Sequence, residues 1–249
     1  MGKIGSCGPM NCCGTKRINS LNRSGREERK GADSVETVIY LIRHGETVWN
    51  RERRVQGHQN LDLSKEGMKQ ARRLGDYLRD WNIDAVYSSD LKRACRTAES
   101  VARPKGLEVQ PLVQLRERNL GEWEGLKLAE VERRYPGDWK EIWNRGGKYG
   151  IEKAENTQRR MMDQIQRLAE KHLSQTIVVV SHGGSINAVL EAVSGGIYGP
   201  GKSRIRNTGI SRLVYHSEKG WRVERVSITG HLDGSVATSI ASHFSNQQG

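Results

Sequence analysis

Short apolar runs bounded by polar or glycine-rich text alternate along this chain with stretches in which apolar positions return at helical spacing. The runs read as strands and the spaced positions as amphipathic helices, so the pattern predicts an α/β fold. Residues 37–43, 84–88, 107–112 and 176–180 are the first predicted strands. A helix over 65–81 carries Met68, Ala71, Leu74 and Leu78 on one face behind a Ser64 N-cap. Asp90-Leu91-Lys92-Arg93 opens a second helix through Val101. Residues 156–173, with Met162, Ile165 and Leu168, cross over to the strand at 176–180, and a helix over 185–193 follows it. Residues 209–216 and 221–228, joined by Lys219-Gly220, read as an antiparallel hairpin, so the sheet is mixed. The polar stretch 51–60 predicts a loop over a site. Between 125 and 150 the text is helical, and Trp139 and Trp143, at i and i+4, read as a packed cap face.

A chain of 249 residues holds one sizeable core with tails rather than two domains. Residues 36–232 form the expected domain, 1–35 a disordered basic leader with cysteines, and 233–249 a disordered tail of small polar residues. No apolar stretch approaches the roughly 18 residues that a membrane span needs. A net charge of +12 suits nucleic acid, an anionic membrane surface or an anionic substrate. Aromatic residues amount to 6% and are not interleaved with basic clusters, which excludes a base-stacking platform and hence a nucleic-acid partner. Cys7, Cys12 and Cys13 crowd the start and Cys95 stands alone, so neither a disulfide framework nor a zinc spacing is present. With no secretory apolar core, a reducing, cytoplasmic location is expected.

Met1-Gly2-Lys3-Ile4-Gly5-Ser6-Cys7 fits the pattern for myristoylation of Gly2. One myristoyl chain binds membranes only marginally. Cys7, Cys12 and Cys13 as palmitate carriers, with Lys16, Arg17, Arg23 and Arg26 as a basic patch, supply the second signal. The leader therefore predicts peripheral membrane association. An organelle transit peptide is the other reading, since the leader is basic, serine-bearing and free of acids through Gly25.

Two predicted strands end in a histidine-glycine pair: Ile39-Tyr40-Leu41-Ile42 feeds Arg43-His44-Gly45, and 176–180 feeds Ser181-His182-Gly183-Gly184. Ligands of open α/β sheets bind beyond the carboxyl ends of the strands, and glycine lets a ligand approach the backbone. Arg43 and His44 are therefore site candidates. Arg93 opens a helix whose free amides favour an anion, so it points towards phosphate.

The pieces arrive in a telling order: the run 41–50, Gln56-Gly57, Leu61-Asp62-Leu63-Ser64 with Gly67, Ser88-Ser89-Asp90-Leu91 with Arg93-Ala94, Leu115-Arg116-Glu117-Arg118 with Gly121 and Gly125, and Ser181-His182-Gly183-Gly184. In this order they resemble the histidine phosphatase superfamily, in its phosphoglycerate mutase-like branch, from about residue 38 to 232. The resemblance implies a three-layer sandwich whose mostly parallel central sheet carries an antiparallel strand. It implies His44 as a nucleophile that becomes a phosphohistidine, Glu117 as proton donor, and a phosphate pocket of Arg43, Arg93, His182 and Asn50. Gln56 and Gly57 are further contacts to phosphate or substrate. Forked arginine donors suit phosphoryl oxygens, and a neutral imidazole needs its second nitrogen held by a fixed acceptor such as a backbone carbonyl. Which nitrogen attacks stays open. No carboxylate cluster suggests magnesium or zinc, so a metal-independent enzyme without cofactors is expected.

The stretch 125–156 lacks the extended basic insert that mutases use, which favours hydrolysis. Residues 181–193 and 228–232 look most like plant-type metal-independent phosphoserine phosphatases. Where many relatives have a Gly-Gly-Glu-Ser type turn, Lys153-Ala154-Glu155-Asn156 stands here, so the cap is expected to differ. Phosphoserine leads as substrate, ahead of 3-phosphoglycerate and sugar phosphates. A phosphoglycerate mutase and a membrane-tethered, non-catalytic phospho-ligand binding or regulatory protein are the alternatives. Dimerisation through the late hairpin stays open, as no pattern specifies it.

Overall fold

In a computed structural model, which describes residues 35–232, the alternation within the apolar runs becomes a sheet covered on both faces. Its strands are β1 (Glu36–Arg43), β2 (Ala85–Ser88), β3 (Val109–Pro111), β4 (Thr176–Ser181), β5 (Ile210–His216) and β6 (Gly220–Ile228). They lie in the order β3-β2-β4-β1-β5-β6. β1 to β4 are parallel, β5 opposes β1, and β6 opposes β5, so one strand is reversed in a sheet otherwise of one direction. The helices are α1 (Val48–Arg51), α2 (Lys65–Tyr77), α3 (Lys92–Ala102), α4 (Leu128–Arg134), α5 (Trp139–Arg145), α6 (Ala154–Lys171) and α7 (Gly183–Val193).

Successive strand residues face opposite ways. Ile39, Leu41, Tyr87, Ile177 and Val179 pack with Met161, Ile165 and Leu168 of α6 and Ile186, Val189 and Leu190 of α7. Tyr40, Ile42, Val86, Val178 and Val180 pack with Leu74 of α2 and Ala94, Ala98 and Val101 of α3. Burial on both faces is why these strands read as unbroken apolar runs. The result is the expected three-layer sandwich. A smaller cluster, Val55, Trp123, Val131, Ile142 and Ile151, lies beneath the cap helices α4 and α5.

Several local expectations shift. The helix expected over 65–81 stops at Tyr77, because Trp81 turns back to pack edge-on against Tyr40, 4.9 Å between ring centroids. Lys105 Nζ donates to the carbonyls of Arg79 and Trp81 that the helix leaves open. The polar stretch 51–60 is not loop throughout: Arg51 closes α1, and Arg54 bridges to Lys127. Trp139 packs on the cap cluster, but Trp143 is 40% exposed. No helix among the described residues is long and apolar enough to cross a membrane. The leader with Gly2 and Cys7, and the tail over 233–249, lie outside the described residues.

Candidate active site

Strand register brings the two histidines together. Arg43 pairs with Ser181 across β1 and β4, so His44 and His182 leave neighbouring parallel strands side by side, their ring centroids 5.1 Å apart. Both side chains are buried. The His44 N–H donates to the Ser181 carbonyl at 3.0 Å, and its Nδ1 lies 2.7 Å from the Gly45 carbonyl. A carbonyl only accepts, so Nδ1 carries the hydrogen and Nε2 is the nitrogen with a free lone pair. Burial first, then the Arg93 and Arg43 cations, holds the His44 imidazolium well below its ordinary range. Burial, with Arg93 and His44 next, does the same for His182. Both rings are therefore neutral at physiological pH. Neither ring nitrogen of His182 has a hydrogen-bond partner among the described residues, so the one that carries hydrogen is an unused donor.

Two arginines, Arg93 buried and Arg43 half-buried, flank the rings. Arg43, the last residue of β1, donates Nη1 to the Ile205 carbonyl at 2.7 Å. Arg93, in the first turn of α3, donates to the carbonyls of Gln59 at 2.6 Å and Gly57 at 2.9 Å. The Nε of each lacks a hydrogen-bond partner among the described residues. Burial lowers both guanidinium groups, Arg93 to about 10, while Glu117 acts in the opposite sense. Both stay charged at neutral pH. Arg43, His44, Arg93, Glu117, Gln56 and Gly57 open onto one cleft of about 700 Å³.

The Glu117 carboxylate rests on the first turn of α7. It accepts the Gly184 N–H at 3.0 Å, the Ser185 N–H at 2.9 Å and the Arg118 N–H at 3.0 Å. A Cβ on Gly184 would stand 2.7 Å from Glu117 Oε1, which is why glycine occupies that place. The backbone carbonyl of Glu117 accepts from His58 Nε2 at 2.8 Å and Arg160 Nη2 at 2.9 Å. Neither Asn50 nor His182 is among the residues that line the cleft, although His182 packs beside His44, which does. Asn50 Oδ1 accepts the Thr47 N–H at 3.0 Å in the reciprocal cap of α1, where it holds the turn after His44.

Sequence reasoning missed the supports. Thr97 Oγ1 accepts the Gly45 N–H at 3.0 Å and donates to the Arg93 carbonyl at 2.7 Å, tying the His44 turn to α3. Asn207 donates to the His44 carbonyl at 3.0 Å. The Thr208 N–H donates to the Arg43 carbonyl at 3.0 Å, from a β-branched residue held at φ +55°. One helical turn separates Thr97 from Arg93, and His58 directly follows Gln56-Gly57; those were the available signals. Trp143, expected on a packed cap face, stacks on Trp123 and also lines the cleft. No group of three or more His, Cys, Asp or Glu side chains among the described residues is arranged to hold a metal ion.

The model of the histidine phosphatase superfamily (branch 1) matches residues 39–229. The chain belongs to that superfamily and is an enzyme of its kind. This histidine phosphatase is 34% identical to phosphoglycerate mutase-like protein 4 of Arabidopsis thaliana, across 83% of this chain and 92% of that protein. It is 31% identical to the metal-independent phosphoserine phosphatase of the same plant, across 80% and 85% respectively. Among solved structures, phosphoserine phosphatase of Entamoeba histolytica in complex with 3-phosphoglyceric acid superimposes with a TM-score of 0.69 at 27% identity. That match covers 79% of this chain and 99% of the other.

Proposed function

We propose that this histidine phosphatase hydrolyses the monoester of a small phosphorylated metabolite, without a metal ion, through a phosphohistidine at Nε2 of His44. The orientation of that ring carries the proposal: Nδ1 is engaged by the Gly45 carbonyl at 2.7 Å while Nε2 keeps its lone pair beside Arg43 and Arg93. In the first half-reaction Nε2 bonds to phosphorus, the ester P–O bond breaks, and Glu117 gives its proton to the departing oxygen. Arg43, Arg93 and His182 stabilise the equatorial oxygens. In the second, Glu117 takes a proton from water as its oxygen attacks phosphorus, the N–P bond breaks and inorganic phosphate leaves.

Hydrolysis is favoured over transfer because only the short helices α4 and α5 stand between Gly125 and α6, leaving little to seal a phosphohistidine from water. Similarity to the Arabidopsis and Entamoeba proteins supports phosphoserine as the first substrate to try. The test is phosphate release in chelator from phosphoserine, 3-phosphoglycerate, sugar phosphates and p-nitrophenyl phosphate, with wild type beside His44→Ala. Turnover lost in the variant is expected. Turnover that vanishes in chelator and returns with a divalent ion would overturn the metal-independent reading.

A further inference from the structure

A proton donor has to meet the departing oxygen at hydrogen-bond distance, so its backbone must be held still. Glu117 stands in a connection without helix or strand, between the 3-10 turns Val113–Leu115 and Gly121–Trp123. Such a connection has no ladder of its own, and its position depends on what bonds its carbonyls.

One guanidinium supplies those bonds. Arg160, on α6, has five N–H donors, and all five are engaged. Nη1 donates to the carbonyls of Gln114 at 2.9 Å and Arg116 at 2.8 Å, and Nη2 to that of Glu117 at 2.9 Å. Nε and Nη2 also fork onto the two oxygens of Glu152, at 2.8 and 2.9 Å. The Glu117 carbonyl accepts a second hydrogen bond from His58 Nε2 at 2.8 Å, which fills both of its lone pairs.

Glu152 anchors the arginine in turn. It precedes α6, and its side chain is 18% exposed against 23% for Arg160. Burial raises its carboxyl, but the hydrogen bonds and charge of Arg160 more than offset this and hold it below the usual carboxylate range. Glu152 Oε2 accepts the Asn119 N–H at 3.2 Å, and its carbonyl accepts Arg118 Nε at 2.7 Å, so the chain is gripped on both sides of Glu117. A planar fork with every donor engaged cannot turn without breaking several bonds at once; it fixes direction as well as distance. Arg160 lines a separate hollow with His58, Gln114 and Glu152, not the cleft, so its route to the substrate runs through Glu117.

We infer that Arg160 is the positioning residue of the proton donor: by holding the carbonyls of Gln114, Arg116 and Glu117, it aims the Glu117 carboxylate at the start of α7 and the leaving oxygen. The inference rests on the hydrolase reading and adds a residue to it.

The experiment uses wild type, Arg160→Lys, Glu117→Gln and the double variant. It measures kcat/KM for phosphoserine, or for the alkyl ester that wild type hydrolyses fastest, and the phosphorylation step with p-nitrophenyl phosphate. Amide exchange of Gly184 and Ser185 is followed by NMR. Arg160→Lys keeps the charge but loses the fork, and should slow the alkyl ester by roughly 10–100-fold, as a misplacement of about 1 Å can. The phosphorylation step with p-nitrophenyl phosphate should fall far less, because that leaving group needs no proton. In Glu117→Gln the same substitution should add almost nothing to the alkyl-ester loss. The Gly184 and Ser185 N–H groups, which donate to the Glu117 carboxylate, should exchange faster in Arg160→Lys. Glu152→Gln weakens the fork without removing it and should show the same split at smaller size, which decides the matter if Arg160→Lys does not fold. Equal losses on both esters, additive effects in the double variant, or unchanged exchange would overturn the inference and leave the hydrolase reading intact. Failure of wild type on every ester would overturn the hydrolase reading, while the exchange result would still decide whether Arg160 places Glu117.

Discussion

His44 acts as a neutral ring because burial and two neighbouring cations oppose its protonation. An NMR titration should accordingly show the His44 and His182 ring signals unmoved as pH falls through 6.5, where an unperturbed histidine titrates; normal titration of either would contradict the electrostatics. The same depression links to stability. The unfolded chain takes up these protons near pH 6.5 and the folded chain only at lower pH, so their contribution is complete above that value and lost as pH falls below it. Each ring can cost up to about 1.4 kcal/mol per pH unit, and His44→Ala should flatten the acid side of a denaturation series. Glu117→Gln should slow alkyl esters by about 10²–10⁴-fold, and the phosphorylation step much less with p-nitrophenyl phosphate, whose leaving group needs no proton. A uniform loss in that step would assign Glu117 to positioning alone. Arg43, His44, Arg93, Glu117 and His182 were legible because each stands in a recognisable motif. Thr97, His58 and Trp143 were not, because their roles depend on which element packs beside them.

Contacts between elements hold the site in register. The turn after His44 crosses the start of α2 so closely that a Cβ on Gly67 would stand 2.0 Å from the Glu46 carbonyl oxygen. Ser64 caps α2 by accepting the Gly67 N–H at 3.0 Å, and its hydroxyl donates to Glu46 at 2.8 Å, so the cap and the turn after His44 are one unit. Gly67→Ala should therefore cost about 1–3 kcal/mol in chemical denaturation and also lower kcat, since relief of the clash moves the His44 turn. Unchanged stability and activity would show that the turn yields freely. Strands and most helices were readable from periodicity, whereas the end of α2 was not. Tyr77 is succeeded by residues that could continue a helix, and contacts from outside it, Trp81 on Tyr40 and Lys105 on the open carbonyls, accompany its end.

At the scale of the molecule, a sheet buried on both faces supports a chemistry assembled from the ends of β1 and β4 and the starts of α3 and α7. That much followed from strand patterns and motif order. The shape of the cap did not, because 125–150 carries no strong period and its packing rests on the aromatic cluster around Trp123. The leader adds a separate prediction: full-length protein should sediment with membranes and Gly2→Ala should not, while identical soluble distributions would dismiss the lipid anchor. The proposed chemistry turns on the covalent step at His44. Its most direct measurement is rapid mixing with p-nitrophenyl phosphate, a base quench that preserves phosphohistidine, and peptide mass spectrometry. A phosphoryl group on His44, formed and lost at rates compatible with turnover and absent from His44→Ala, is the predicted result. Steady turnover with no phosphoryl group on His44 at any time would contradict the account.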